Sequence, residues 1–238
     1  SQVLLDYADI LTTLPKWRRK QCHQALQNWL AKPYELPDYA ELRRFISWAD
    51  AQGVQLNVIF QRKVVNPVFD AEIFIRRNAQ AMKTILLRFS DTDFRAYKGD
   101  YSISLLNMVL ALLPDDVELL EYQWEKMRYY HDFTIHEVPW CGVLWGIVEG
   151  AALEHMDELE SDLADFEALS RRLGHDALYL IAACRDFYAF WRLYLTNSGA
   201  YTDFADCISH NRHLLSQEAI TYIWGEGAAP FILHKDET

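Results

Sequence analysis

Apolar positions recur at three- and four-residue spacing along most of this chain, the period of one face of an α-helix. Leu4 to Leu14 carries apolar side chains at 4, 5, 8, 11 and 14, and Trp17 to Leu30 carries Trp17, Cys22, Leu26, Trp29 and Leu30. Ala40 to Ala49 reads as a third helix, and Ala71 to Phe89 as a long one with Ile73, Phe74, Met82, Ile85, Leu86 and Phe89 along one broad side. Val54 to Phe60 alternates apolar and polar positions, but Ile59 breaks the alternation and no partner strand is evident, so it too is read as helix. Pro33 and Pro37 bracket one loop, Gly53 marks a second and Asn66-Pro67 a third.

Beyond residue 100 the pattern repeats. Ile103 to Leu113 is an apolar helix, Pro114-Asp115-Asp116 a turn, and Val117 to Tyr130 a second helix with Val117, Leu120, Trp124 and Met127 in a stripe. A shift of 35 to 36 positions gives Val138 to Val148, a turn at Glu149-Gly150, and Ala151 to Leu173 with Leu153, Met156, Leu159 and Leu163 as the matching stripe. A further shift of 36 sets Leu180 to Asp186 on Leu144 to Gly150, followed by a helix at Phe187 to Leu195. The expectation is an all-α protein of helical hairpins, packed as a bundle or short solenoid so that each pair buries an apolar face on the next. Residues 1–99 would form an N-terminal helical segment and residues 100–238 the hairpin repeat region, within one compact domain.

Charge is distributed as unevenly as the repeats. Residues 1–148 hold 17 Lys and Arg against 18 Asp and Glu, whereas residues 149–238 hold 6 against 16. Such a C-terminal field repels phosphates and anionic lipid and draws in basic proteins, so no direct nucleic acid and no membrane contact is expected there. From Glu149 to Glu167 eight acids occur without one Lys or Arg. A helical projection sets Glu154, Asp157, Glu158 and Asp165 on the outer face with Glu160 and Glu167 nearer the buried stripe. Like charges three and four apart repel by a few tenths of a kcal/mol per pair. A plain solvated face matched to the helix dipole is one explanation, and a docking surface is the other.

Catalytic signatures are absent. There is no G-x-S-x-G elbow, no P-loop, and no G-x-G-x-x-G; Gly225-Glu226-Gly227 reads as a helix stop after Trp224. His131, His136, Glu137, His210 and His213 are the donors a metal enzyme would use, yet H-E-x-x-H is missing and no EF-hand loop accompanies the acids. No catalytic residue, metal or cofactor is therefore assigned. Lys16-Trp17-Arg18-Arg19-Lys20 reads as a solvated basic face with Trp17 turned to the core. Cys22, Cys141, Cys184 and Cys207 are scattered, without C-x-x-C pairing, and read as reduced core thiols. With acids where a leader would be apolar, and no apolar run near the roughly 20 residues of a membrane span, the expected location is cytoplasmic.

Leu180-Ile181-Ala182-Ala183-Cys184-Arg185-Asp186, Leu110-Ala111-Leu112-Leu113-Pro114-Asp115-Asp116 and Leu144 to Gly150 resemble the hairpin corners of all-helical immunity proteins from bacterial polymorphic toxin systems. In that class an apolar helix ends in a small acidic turn and is followed by an acidic helix. The resemblance covers residues 100–195. It implies a non-enzymatic cytosolic protein that binds a cognate toxin, often a basic nuclease, and blocks its active site or substrate channel. The partner-binding residues would then be Glu154, Asp157, Glu158, Asp162 and Asp165. A helical-repeat adaptor that takes a peptide in a groove is the alternative, and a metal-dependent helical enzyme the second.

Overall fold

The computed structural model describes residues 1–13, 19–88, 101–144, 152–197 and 199–232. Regular structure among them is entirely helical, so the all-α expectation holds. Two compact units divide the chain, Ser1–Asp116 and Val117–Thr238.

The first unit begins with α1 (Gln2–Thr13), α2 (Arg19–Ala31) and α3 (Tyr39–Ala51). Asp38 starts α3, its side chain accepting from the Glu41 N–H at 2.7 Å. Tyr7, Trp29, Phe45 and Phe60 form its aromatic core; Tyr7 stacks on Phe60 at 4.3 Å, and Trp29 Nε1 donates to the Val3 carbonyl at 3.1 Å. Lys63 ties off the end of α2. Its ammonium donates to the carbonyls of Trp29, Leu30 and Lys32 at 2.8, 2.6 and 2.9 Å and lies 4.8 Å from the Trp29 and Tyr34 ring centroids.

Two sequence expectations change in this unit. Helix replaces only the second half of the Val54 to Phe60 segment, because the Asn57 side chain accepts from Ile59 N–H at 2.6 Å and caps a helix at Val58. From there α4 runs without a break as α-helix Val58–Phe60, π-helix Gln61–Val65, α-helix Asn66–Asp70 and π-helix Ala71–Ile75. The Asn66-Pro67 loop is thus helix: proline lacks an N–H and its ring crowds the carbonyl four residues back, and the π-turn ahead of it widens the coil at that point. The long helix expected over Ala71 to Phe89 is instead interrupted. Arg77 adopts φ 54°, the Asn78 N–H reaches back to the Glu72 carbonyl at 3.0 Å, and the Asn78 side chain caps α5 (Ala79–Arg88). Ile73, Met82, Ile85 and Leu86 are buried, but Phe74 is half-exposed, so the broad apolar side is split; Phe89 lies outside the described residues. α6 (Tyr101–Leu112) packs on α5, which carries the first unit past residue 99.

The second unit is built around α10. Its helices are α7 (Val117–Ile135), the single turn α8 (Val138–Cys141), α9 (Ala152–Leu173), α10 (Leu178–Thr196), α11 (Phe204–Asn211) and α12 (Gln217–Trp224). α10 contacts α7, α9, α11 and α12 and buries Leu180, Ile181, Ala183, Cys184, Phe187, Tyr188, Phe190 and Trp191. Asp186 of α10 accepts from both N–H and hydroxyl of Ser216, each at 2.7 Å, which fixes the start of α12.

The 36-residue repeat does not survive as a structural period. Leu180 to Asp186, expected as a corner, lies inside α10, since that stretch contains neither Gly nor Pro to stop a helix. The corner falls earlier, at Gly174 with φ 74°. The described part of the helix expected over Val138 to Val148 holds the single turn α8, ended by Gly142, which turns left-handed with φ 61° and lies against Ala205 of α11; residues 145–151, and with them the expected turn at Glu149-Gly150, lie outside the described set.

Candidate functional site

α9 supplies the strongest candidate. Met156, Leu159, Leu163, Phe166 and Leu169 are buried on one side, at the three- and four-residue spacing that defines an amphipathic helix. Against them lie α7, through the Trp124 Nε1 bond to Ser170 Oγ at 2.9 Å, and α10. Two of the expected stripe residues stand outside the core: Val117 and Leu153 are both exposed, each at the first turn of its helix.

Arginines of α10 meet the acids nearest the α9–α10 seam. Arg192 pairs with Glu160 at 3.0 Å and Asp157 at 2.7 Å, and Arg185 with Glu167 at 3.1 Å. Partners seven residues apart on each helix, in opposite order, mark the two as antiparallel. Asp157, chosen from sequence as a partner-binding residue, is therefore already held by a cation within the chain. Sequence reasoning missed both arginines, although a corner placed at Gly174 would have brought them opposite the acids.

The remaining acids face away. Glu158, Asp162 and Asp165 are exposed, and they follow one another at four- and three-residue spacing on one side of α9. Among the described residues Glu158 pairs with His155 at 3.6 Å, an attraction that requires a protonated imidazole. Among the described residues no Lys or Arg pairs with Asp162 or Asp165. Desolvation first, then the charges of Asp165 and Glu158, lifts the Asp162 carboxyl above the ordinary carboxylate range. Across the helix boundary, Tyr130 of α7 is half-exposed, and burial together with the charges of Asp162 and Glu158 raises its hydroxyl pKa. A negatively charged face with a tyrosine at its margin results. Glu154 lies in α9, but its side chain is outside the described residues.

The histidines are dispersed. His131 is wholly buried, His136 bonds the Phe133 carbonyl and pairs with Glu137 at 3.0 Å, His210 pairs with Asp206 at 3.0 Å, and His213 sits exposed in the 3-10 turn Arg212–Leu214. Among the described residues no three His, Cys, Asp or Glu side chains form a group able to hold a metal. All four cysteines are thiols; Cys184 and Cys207 lie in the core as expected, while Cys22 and Cys141 are only half-buried. Of the basic cluster, residues 16–18 lie outside the described set. Among the described residues no helix is long and apolar enough to cross a membrane. No family model, curated protein or solved structure matches the chain.

Proposed function

We propose that the chain is a cytoplasmic binding protein whose second unit holds a basic protein on the outer face of α9, in the manner of an immunity protein neutralising a cognate toxin. One observation carries this reading. Among the described residues no arginine or lysine relieves Glu158, Asp162 and Asp165, which stand together on one helix, while Asp157, Glu160 and Glu167 one side away are matched by Arg185 and Arg192. A purely solvated face has no reason to keep that asymmetry, since a single Lys would remove the repulsion. A partner's cation at Asp162 relieves repulsion that exists in the free protein, and this contributes to binding without requiring new order in the helix. Exposed acids chiefly accelerate encounter, with Tyr130 placed to add contact area.

The test uses paired affinity capture from the native cell at low ionic strength. Wild-type chain is compared with the triple variant Glu158→Lys, Asp162→Lys, Asp165→Lys, and bound proteins are identified by mass spectrometry. A basic protein retained by wild type, released as salt rises and absent from the variant supports the reading. Equal recovery by both chains, with the variant shown folded by circular dichroism, contradicts it.

A further inference from the structure

Inside the second unit, α7, α9 and α10 meet at one imidazole. His131 of α7 has no solvent exposure. Its Nδ1 lies 3.0 Å from the Tyr188 hydroxyl of α10, its backbone carbonyl accepts from the Cys184 thiol at 3.8 Å, and its ring is 5.5 Å from the Phe166 ring of α9. Nε2 makes no hydrogen bond. A neutral imidazole has one donor and one acceptor nitrogen, and Tyr188 satisfies Nδ1 in either tautomer. The orphaned Nε2 is tolerable only while the ring is uncharged. Protonation adds a buried charge and a second N–H, and the Asp162 backbone carbonyl beside the ring is already committed to the helical ladder of α9.

The titratable groups around His131 offer no compensating carboxylate. On its own helix Tyr130 flanks it, and Asp132 is taken up by Tyr222 of α12 at 2.5 Å. α10 presents Cys184 and Tyr188, whose pKa values burial raises. α9 presents the Asp162 carbonyl, while the carboxylates of Asp162, Glu158 and Asp165 are on the solvent side.

We propose that His131 is an acid-operated latch, whose protonation parts α9 from α7 and α10 and opens the second unit. Burial holds its imidazole at about 4 against the ordinary 6.5, with the Asp162 carbonyl opposing in part. Because the folded-state value is depressed, this stabilisation is complete above the unfolded value of 6.5 and is lost as pH falls from there toward 4. Asp162 acts with the opposite sign: its carboxyl pKa is raised in the folded state, so falling pH neutralises it there first and strengthens the closed unit. The latch and the acidic face are therefore separable by the direction of their pH dependence.

Urea unfolding and near-ultraviolet circular dichroism of the whole chain between pH 7.5 and 4, for wild type and His131→Gln, make the test. Glutamine is close to the imidazole in volume and cannot be protonated. Expected for wild type is a rise of about two orders of magnitude in the opening equilibrium between pH 6.5 and 4. The variant should show a flat or reversed slope. No loss in wild type, or an equal loss in the variant, overturns the latch. Should His131→Gln fail to fold, a nuclear magnetic resonance titration of labelled histidines in wild type decides. His131 staying neutral until the near-ultraviolet signal collapses supports the proposal, and His131 protonating near pH 6.5 with that signal intact overturns it.

Discussion

Lys63 illustrates how one side chain can stand in for a missing helix cap. α2 ends without glycine, and its last carbonyls would be left to water; the ammonium of Lys63 collects three of them while its charge faces the Trp29 and Tyr34 rings. Desolvation there lowers the Lys63 pKa, a sign that its position is held by bonds rather than by solvent. Replacing it by methionine keeps the stem and removes the donors, and should cost the first unit about 2 kcal/mol in urea unfolding. An unchanged midpoint would mean that water caps α2 equally well. Asp162 is the counterpart on the second unit, a side chain whose surroundings disfavour its charge. The one holds structure together; the other is a charge that its surroundings disfavour.

At the scale of elements, breaks in the helices matter more than their apolar stripes. The stripe at Met156, Leu159 and Leu163 was legible because its spacing is the direct consequence of helical geometry, and the burial of all three follows it. The corner at Gly174 was not, because an apparent repeat drew attention to Leu180 to Asp186, where no residue interrupts a helix. That misplacement hid Arg185 and Arg192, and with them the division of the α9 acids into paired and unpaired sets. Pro67 misled in the reverse way: proline normally argues for a break, but a π-turn ahead of it absorbs the clash. Gly142 could be recognised in sequence as a turn residue but not as a contact, since Ala205 is 63 positions away in the chain. A Cβ on Gly142 would stand 2.5 Å from Ala205 Cβ and 2.8 Å from its Cα, at a positive φ. Gly142→Ala should therefore destabilise the second unit by about 3 kcal/mol, combining overpacking with left-handed strain. Thermal unfolding measures this, and a loss below about 1 kcal/mol would show that α11 shifts freely.

For the molecule as a whole, dividing the chain by its compact units sharpens the charge asymmetry visible in the sequence. Ser1–Asp116 holds 13 acids against 15 bases, whereas Val117–Thr238 holds 21 against 8. The net negative charge thus belongs wholly to the unit that contains α9, which is where a basic partner would be drawn. The field alone gives no address; under the proposed function the address is Glu158, Asp162 and Asp165 of α9. Zero-length carbodiimide cross-linking of the captured partner to the chain, mapped by mass spectrometry, reads that address directly. The account predicts links from partner lysines to Glu158, Asp162 and Asp165. Links confined to acids elsewhere in the second unit, or to the first unit, would contradict it.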